Sequence, residues 1–454
     1  MTTDGNALLP TRNANRWKSK QGLQTSFLLM SLCFSINHGC VTAVLGLASA
    51  NLGKELAGIQ SGTLYILYTL SALTVATSLV HYLGAKWSLV WGLGLYCAYI
   101  ASFLVAAKVQ SVEWPAAIIG SVIGGTAAGW LWTAQGVYFA RVAERYSVAS
   151  GVSKQIATSW LASVFACCYV GFEVVLKLAS SFLYRFGSDT FVYTIFTIVA
   201  VACPFLMVFV PAEPPALQPQ QNTATVSVLD RLSQAGKLLL TNSKMRWIAG
   251  FEIAFGFATS FINFYINGTI VKKALGKDNI GYMTAIIPAT ATLMSFPYST
   301  FSDKMGKAPV MIVGCISYFL IAVLVSAISK ESLTSLGWGL VWIYIVAGNG
   351  RAVFEGTNKA MIADLFPEHK PAAFANVIIT SGGASAIAFY IFPQMSKIGM
   401  GVLSAFFAAE AVLGIICAFR RHEVDLKDGW DALDEVKQQE HEHSVMIDEP
   451  VGGQ

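Results

Sequence analysis

Charge is what this sequence has least of. Asp, Glu, Lys and Arg make up 12% of its 454 residues, about half of the ~25% usual in soluble domains. A water-facing surface of ordinary composition is thereby excluded, and lipid is the expected surroundings. Also missing are a CxxC pair or any metal-ligand spacing, which argues against a metal centre. No basic patch alternates with exposed aromatics, which argues against nucleic acid. No nucleophile–base pair or phosphate loop stands out, so neither an enzyme nor a cofactor is expected. The first twenty or so residues are polar and offer no cleavable signal peptide. All eight cysteines (Cys33, Cys40, Cys97, Cys167, Cys168, Cys203, Cys315 and Cys417) fall inside apolar runs. There they are expected to pack as small hydrophobes; the alternative for adjacent Cys167 and Cys168 is redox activity.

What the sequence has instead is apolar length. Hydrophobic residues reach 55% and mean hydropathy is +0.57. A bilayer core takes about 20 apolar residues per helix. Some twelve runs meet that need: 25–50, 60–82, 87–107, 115–140, 156–180, 189–211, 246–267, 281–300, 308–328, 337–364, 372–393 and 399–419. Short gaps make successive helices antiparallel neighbours. The expected fold is an all-α integral membrane protein with twelve transmembrane helices in two six-helix halves. The expected parts are an N-terminal tail (1–24), a first bundle (25–211), a linker (212–245), a second bundle (246–419) and a tail (420–454). The linker opens with "PAEPPALQPQQNTATVS", a flexible composition. Val228, Leu229, Leu232, Leu239 and Leu240 then recur at helical intervals, as in an amphipathic helix on the membrane surface.

Lys and Arg crowd alternate loops, among them Arg12, Arg16, Lys86, Arg141, Arg145, Arg231, Lys237, Lys304 and Lys307. The positive-inside rule therefore places both termini in the cytosol. The opposite loops carry about half as many basic residues, including Lys272, Lys273 and Lys277. The sequon at Asn267 falls on that outer side, close to the membrane. The final tail holds ten of the 26 acids after Arg421 and reads as soluble, either as a docking site for a cytosolic partner or as inert chain. "DGNALL" (4–9) resembles an acidic dileucine sorting signal, so the plasma membrane and endolysosomal or vacuolar membranes are both expected locations.

The halves repeat one another. "LGAKWSLVWG" (83–92) lies between the second and third spans, and "MGKAPVMIVG" (305–314) between the eighth and ninth. Each has glycines eight apart with a basic residue between them: Gly84 and Lys86, then Gly306 and Lys307. Asp303 precedes the second copy, and His81 holds the matching place in the first. "SDKMGK" resembles the loop signature of the major facilitator superfamily. That resemblance implies a cytosolic gate built on Gly84, Lys86, Asp303, Gly306 and Lys307, with the first copy lacking its acid. The plain alternative is a basic turn.

The fourth and tenth spans also correspond. Trp132 aligns with Phe354, and Gln135 with Thr357, an aromatic followed three residues later by a polar side chain on the same face. Together "GWLWTAQGVY" (129–138), "LGAKWSLVWGLGLY" (83–96) and "DLFPEHKPAAFAN" (364–376) resemble the Unc-ninety-three branch of the major facilitator superfamily. The likeness covers both halves. It is weaker in the tenth span, where "GRAVFEGTNKAM" replaces an uncharged polar stretch. Membership implies a transporter-shaped protein, with roles that include regulating potassium channels and escorting membrane proteins. The superfamily likeness implies that spans one, four, seven and ten line a cavity.

Those four spans carry the candidate site: His38, Trp132, Gln135, Glu252, Asn263, Arg351, Glu355, Thr357 and Lys359. Ionisable residues inside a membrane are costly, at about 2.5–3.5 kcal/mol on insertion scales, and so point to function. Arg351, Glu355 and Lys359 follow at i+4 steps. They either neutralise one another, with Glu355 paired to its neighbours, or attract an anion at Arg351 while Glu355 exchanges protons. His38 is either a proton-coupling group or a structural histidine beside Asn37. Gln135 either lines the cavity or bonds a neighbouring helix near Gly120, Gly124 and Gly125, where close packing is expected. Glu173 and Lys177 are expected to pair, with Lys177 snorkelling outward. Glu410 has no evident partner and is expected at a helix contact. Two functions follow: a secondary transporter of a small solute or ion working by alternating access, possible proton coupling included, or a non-transporting subunit for a channel or receptor partner.

Overall fold

The computed structural model describes residues 19–213 and 228–447, without the side chains of residues 231, 426 and 428–447. The dileucine-like segment and the Pro/Gln-rich part of the linker lie outside the described residues. Only helices occur among those described. All twelve expected runs are helical: Lys20–Asn51, Lys54–Leu73 with Ala76–Leu83, Ala85–Lys108, Glu113–Ser150, Lys154–Leu183 and Asp189–Val208 in the first half. The second half holds Ser243–Phe261, continued by a π-helical Ile262–Val271, then Ile280–Met305, Lys307–Ala327, Val341–Val353, Lys370–Ile391 and Lys397–Ile447. Among the described residues ten helices are long and apolar enough to cross a membrane. The eighth and tenth spans fall short for physical reasons. The eighth carries Pro288, Pro297 and a run of hydroxyl residues. The tenth is interrupted at Phe354–Asn358 by a π-helical turn before Lys359–Leu365. Such turns insert an extra residue per hydrogen-bonded ring and concentrate at functional sites.

Large apolar side chains cover the outside: Trp91, Ile119, Ile198, Phe205, Leu293, Phe296, Val402 and Leu413 are all exposed. Water would penalise this surface by about 25 cal/mol per Å², whereas lipid accepts it. Of the eight cysteines, five are buried, Cys168 and Cys417 are half-buried and Cys167 is exposed; none forms a disulfide.

The repeat is visible in the backbone. Gly84 (φ 76°, ψ 160°) and Gly306 (φ 81°, ψ 170°) occupy the same region, which is accessible essentially to glycine alone. Each ends one helix and starts the next. The environments differ. In the first half Glu213 accepts hydrogen bonds from the backbone N–H groups of Ala85 (2.6 Å) and Lys86 (3.0 Å). An acid from beyond the sixth span thus caps the third helix, as the positive end of a helix favours. In the second half Lys307 pairs with Asp364 at 2.5 Å. Asp303 is exposed and makes no ion pair among the described residues.

The linker helix Val228–Thr241 docks on the eleventh span: Ala235 and Leu238 are buried, and the Asn376 amide donates to the Ala235 carbonyl at 2.9 Å. Its amphipathic pattern faces protein as well as the membrane side. Inside the first half, Gly120 and Gly124 meet Ser102 and Tyr99 of the third span, while Gly125 and Gly129 meet the backbone of the second at Leu64 and Ala72. Any Cβ at Gly125 or Gly129 would strike main-chain atoms, so these backbones approach as small-residue seams allow.

Bonds between the halves gather at the end of the bundle remote from the linker helix. Lys277 pairs with Asp189 at 2.6 Å. Lys272 donates to the Ala50 carbonyl at 2.5 Å, and Ser49 to the Asn263 carbonyl. Tyr282 N–H donates to the Ser181 hydroxyl at 3.0 Å, and Thr63 bonds the Tyr390 hydroxyl at 2.9 Å. This far end is closed. Asn267 lies within it, fully buried, bonding Tyr344 (2.5 Å) and Asn263 (3.3 Å). The sequon is therefore occupied by packing and cannot present its amide for glycosylation.

Candidate functional site

Between the halves lies a cavity of about 510 Å³. Its walls come from both bundles. Tyrosines and phenylalanines supply much of the surface, and charge is confined to two clusters.

The first cluster joins the halves. Glu173, on the fifth span and 1% exposed, accepts two hydrogen bonds from the Arg351 guanidinium, both 2.7 Å. Its Oε1 also accepts from Lys177 Nζ at 2.7 Å. One carboxylate thus serves two cations, and the arginine fork supplies the bidentate geometry that makes such pairs strong. The expectation that Lys177 snorkels outward is overturned: it is 7% exposed and lines the cavity. Its cation finds a fixed anion inside, which outweighs a reach to the interface. Arg351 likewise does not pair with Glu355, because Glu173 offers both oxygens from the opposite half.

The second cluster is Glu355 with Lys359, 2.6 Å apart and open to the cavity at 41% and 49% side-chain exposure. The π-helical turn carries Glu355 and sets this pair apart from Arg351. The self-neutralising stripe is therefore split in two.

Aromatic rings form the rest of the floor. His38 stands among Phe34, Tyr96, Trp132 and Tyr169, with ring centroids 5.2–5.9 Å away. The Tyr169 hydroxyl bonds His38 Nε2 at 3.2 Å, and Nδ1 has no partner. Phe354 stacks on Phe255 at 3.5 Å. Trp132 and Phe354, matched by the internal repeat, both line the cavity.

Of the expected site residues, His38, Trp132, Asn263, Arg351, Glu355 and Lys359 meet at this cavity. Gln135, Glu252 and Thr357 do not line it. Gln135 is 8% exposed. Thr357, its counterpart, is buried against Ser302 at 3.4 Å. Both polar positions of the repeat thus point off the wall, one turn past the aromatic. Glu252 is buried behind the cavity against Asn358. Asn37 is structural: its amide reaches the Ala200 carbonyl at 3.1 Å. Glu410 sits at a helix contact as expected, against Gly250 of the seventh span.

Sequence reasoning missed Tyr65, Tyr68, Tyr169 and Phe255 in the wall, and Glu173 as the partner of Arg351. Mid-span placement of Glu173 was the available signal. The tyrosines carry none, since an aromatic in an apolar run packs in a core just as readily.

Two helical bundles around a central cavity make up the major facilitator fold. Solved structures share the fold: nucleoside transporter NupG (TM-score 0.64, 16% identity, covering 88% of this chain and 98% of that one) and a D-xylose-proton symporter (TM-score 0.62, 15% identity, 87% and 95%). Within that fold the chain belongs to the UNC-93 family, described as ion channel regulatory protein UNC-93, whose profile matches residues 54–419. Among its relatives are UNC93-like protein 3 of Arabidopsis thaliana, 22% identical over 387 residues (82% of this chain, 80% of that protein), and protein unc-93 homolog A of Bos taurus, 23% identical over 411 residues (81% and 87%).

Proposed function

We propose that this membrane-embedded chain is a secondary transporter that moves a small solute or ion by alternating access. The observation that carries the reading is the cross-half ion pair Arg351–Glu173 inside a cavity of about 510 Å³, a volume within the roughly 300–1,000 Å³ of small-molecule sites. A charged pair in the membrane interior is expensive to maintain and is spent where ions or protons pass. His38, Trp132, Asn263, Arg351, Glu355 and Lys359 form the pathway. The far end is the closed gate. The basic linker side faces the cytosol, so the cavity is poised to open inward, with Gly84, Lys86, Gly306 and Lys307 at the moving hinges. The membrane is the plasma membrane or an endolysosomal or vacuolar one.

The test is reconstitution into liposomes with solute-driven proton and ion currents as readout. Wild-type currents that vanish in Arg351→Ala and Glu355→Gln support transport. Silence across a broad solute panel, with the protein folded, overturns it. The second reading, a regulatory or trafficking subunit of a channel or receptor, is favoured by the family description; it predicts that silence together with a captured membrane partner.

A further inference from the structure

Behind the cavity, the seventh span and the π-helical turn of the tenth share a buried acid and amide. Glu252 and Asn358 are both 0% exposed. Asn358 Nδ2 donates to Glu252 Oε1 at 2.7 Å. The other oxygen of each group, Glu252 Oε2 and Asn358 Oδ1, has no hydrogen-bond partner. Two lone acceptors on groups already joined by one bond are a specific kind of deficit. Each buried acceptor left alone has given up its hydrogen bonds to water for nothing in return. A single proton removes both deficits: on Oε2 it makes Glu252 a carboxylic acid, which can donate to Oδ1 and close a cyclic acid–amide pair.

The surroundings suit a neutral acid. Phe251, Ala254 and Val353 pack nearby in the same buried cluster. The twelfth span brings Glu410 against Gly250, two residues before Glu252 and on another side of the helix. The ninth span brings Cys315 and Tyr318, whose hydroxyl is itself unpartnered. The eleventh span packs its main chain at Ser381 and Ser385 against Gly256, one turn on, and has no ionisable side chain along that stretch. Lys244, at the start of the seventh span, is taken by Asp425. Among the described residues Lys359 is the cation whose field reaches Glu252, and it pairs with Glu355 at 2.6 Å.

We infer that Glu252 and Asn358 form a buried proton-binding site, held as a carboxylic acid–amide pair that pins the π-helical turn of the tenth span. Asn358 ends that turn, and Phe354 and Glu355 of the same turn face the cavity. Loss of the proton would leave Glu252 Oε2 facing the Asn358 Oδ1 acceptor and release the turn. A role in coupling protons to solute rests on the transport reading; the presence of the proton does not.

The experiment therefore needs no transport. Infrared spectra of the purified full-length protein at neutral pH would be compared for wild type, Glu252→Gln and Asn358→Leu, alongside thermal stability with and without sodium and potassium. Expected is a protonated-carboxyl C=O band in wild type that is lost in Glu252→Gln and shifted upward in frequency in Asn358→Leu. Glu252→Gln should keep wild-type stability, since its amide N–H can donate to Asn358 Oδ1 as the acid does. Absence of the band in folded wild type would show an ionised Glu252 and overturn the inference. So would stabilisation of wild type by either cation that is lost in Glu252→Gln, since the oxygens would then hold a metal ion.

Discussion

Removing Glu173 should cost more than removing either of its cations. Glu173→Gln leaves Lys177 buried and Arg351 half-buried around a neutral amide, each having lost the partner seen at 2.7 Å. Breaking a buried pair in this way costs about 3–5 kcal/mol, because the surviving charge is left uncompensated. Arg351→Met is different. Glu173 Oε1 keeps Lys177 and only Oε2 is left bare, so the expected loss is that of one hydrogen bond to a charged group, about 1.5–3 kcal/mol. Lys177→Met should cost least, since the bidentate arginine still satisfies both oxygens. The double variant Glu173→Gln/Lys177→Met should recover part of the single-variant loss, because one stranded cation goes with the anion; such non-additivity is expected of residues in contact. Reversible denaturation in mixed micelles, followed by circular dichroism, gives the four values. If Arg351→Met proves more destabilising than Glu173→Gln, or if the double variant is purely additive, the shared-carboxylate account is wrong.

Other outcomes are equally open to measurement. Gly306→Ala should lose on the order of 1–3 kcal/mol from backbone strain alone, because a Cβ there meets nothing within 4 Å; the same denaturation assay reads it, and an unchanged midpoint would refute the backbone assignment. Gly125→Leu should abolish folding of the first half, seen as aggregation on size exclusion, since its side chain would enter the main chain of the second span. Glycosidase treatment of protein from a eukaryotic host should leave its mobility unchanged, because Asn267 is buried; a shift traced to that residue would count against the closed far end.

Local patterns were the legible part of the sequence. Apolar run length announced all twelve helices, and glycine spacing announced the two loops whose backbones prove alike at Gly84 and Gly306. The glycines of the fourth span announced a close seam. Span-to-span pairing was harder. Glu173 and Lys177 sit four residues apart and read as self-contained, whereas the arginine that completes them lies 178 residues away. Helical periodicity relates neighbours on one helix and says nothing of which helix stands opposite. The π-helical turns were equally hidden. An inserted residue rotates everything beyond it, so Thr357 leaves the wall that Phe354 lines; Gln135 leaves it on an unbroken helix, where three residues past Trp132 is already a different face. Glu213 shows a third limit: an acid absent from its expected loop is supplied by a residue more than a hundred positions later.

The shared carboxylate also has an electrical consequence. With all three groups ionised, Glu173, Arg351 and Lys177 leave one positive charge uncancelled between the two bundles. A full elementary charge crossing a 100 mV membrane changes energy by about 2.3 kcal/mol. Any rocking of one half that carries this cluster through even a tenth of the field is biased by roughly 0.2 kcal/mol for the same voltage. The resting potential of the host membrane thus becomes a weak ligand for one conformation, acting with no solute bound.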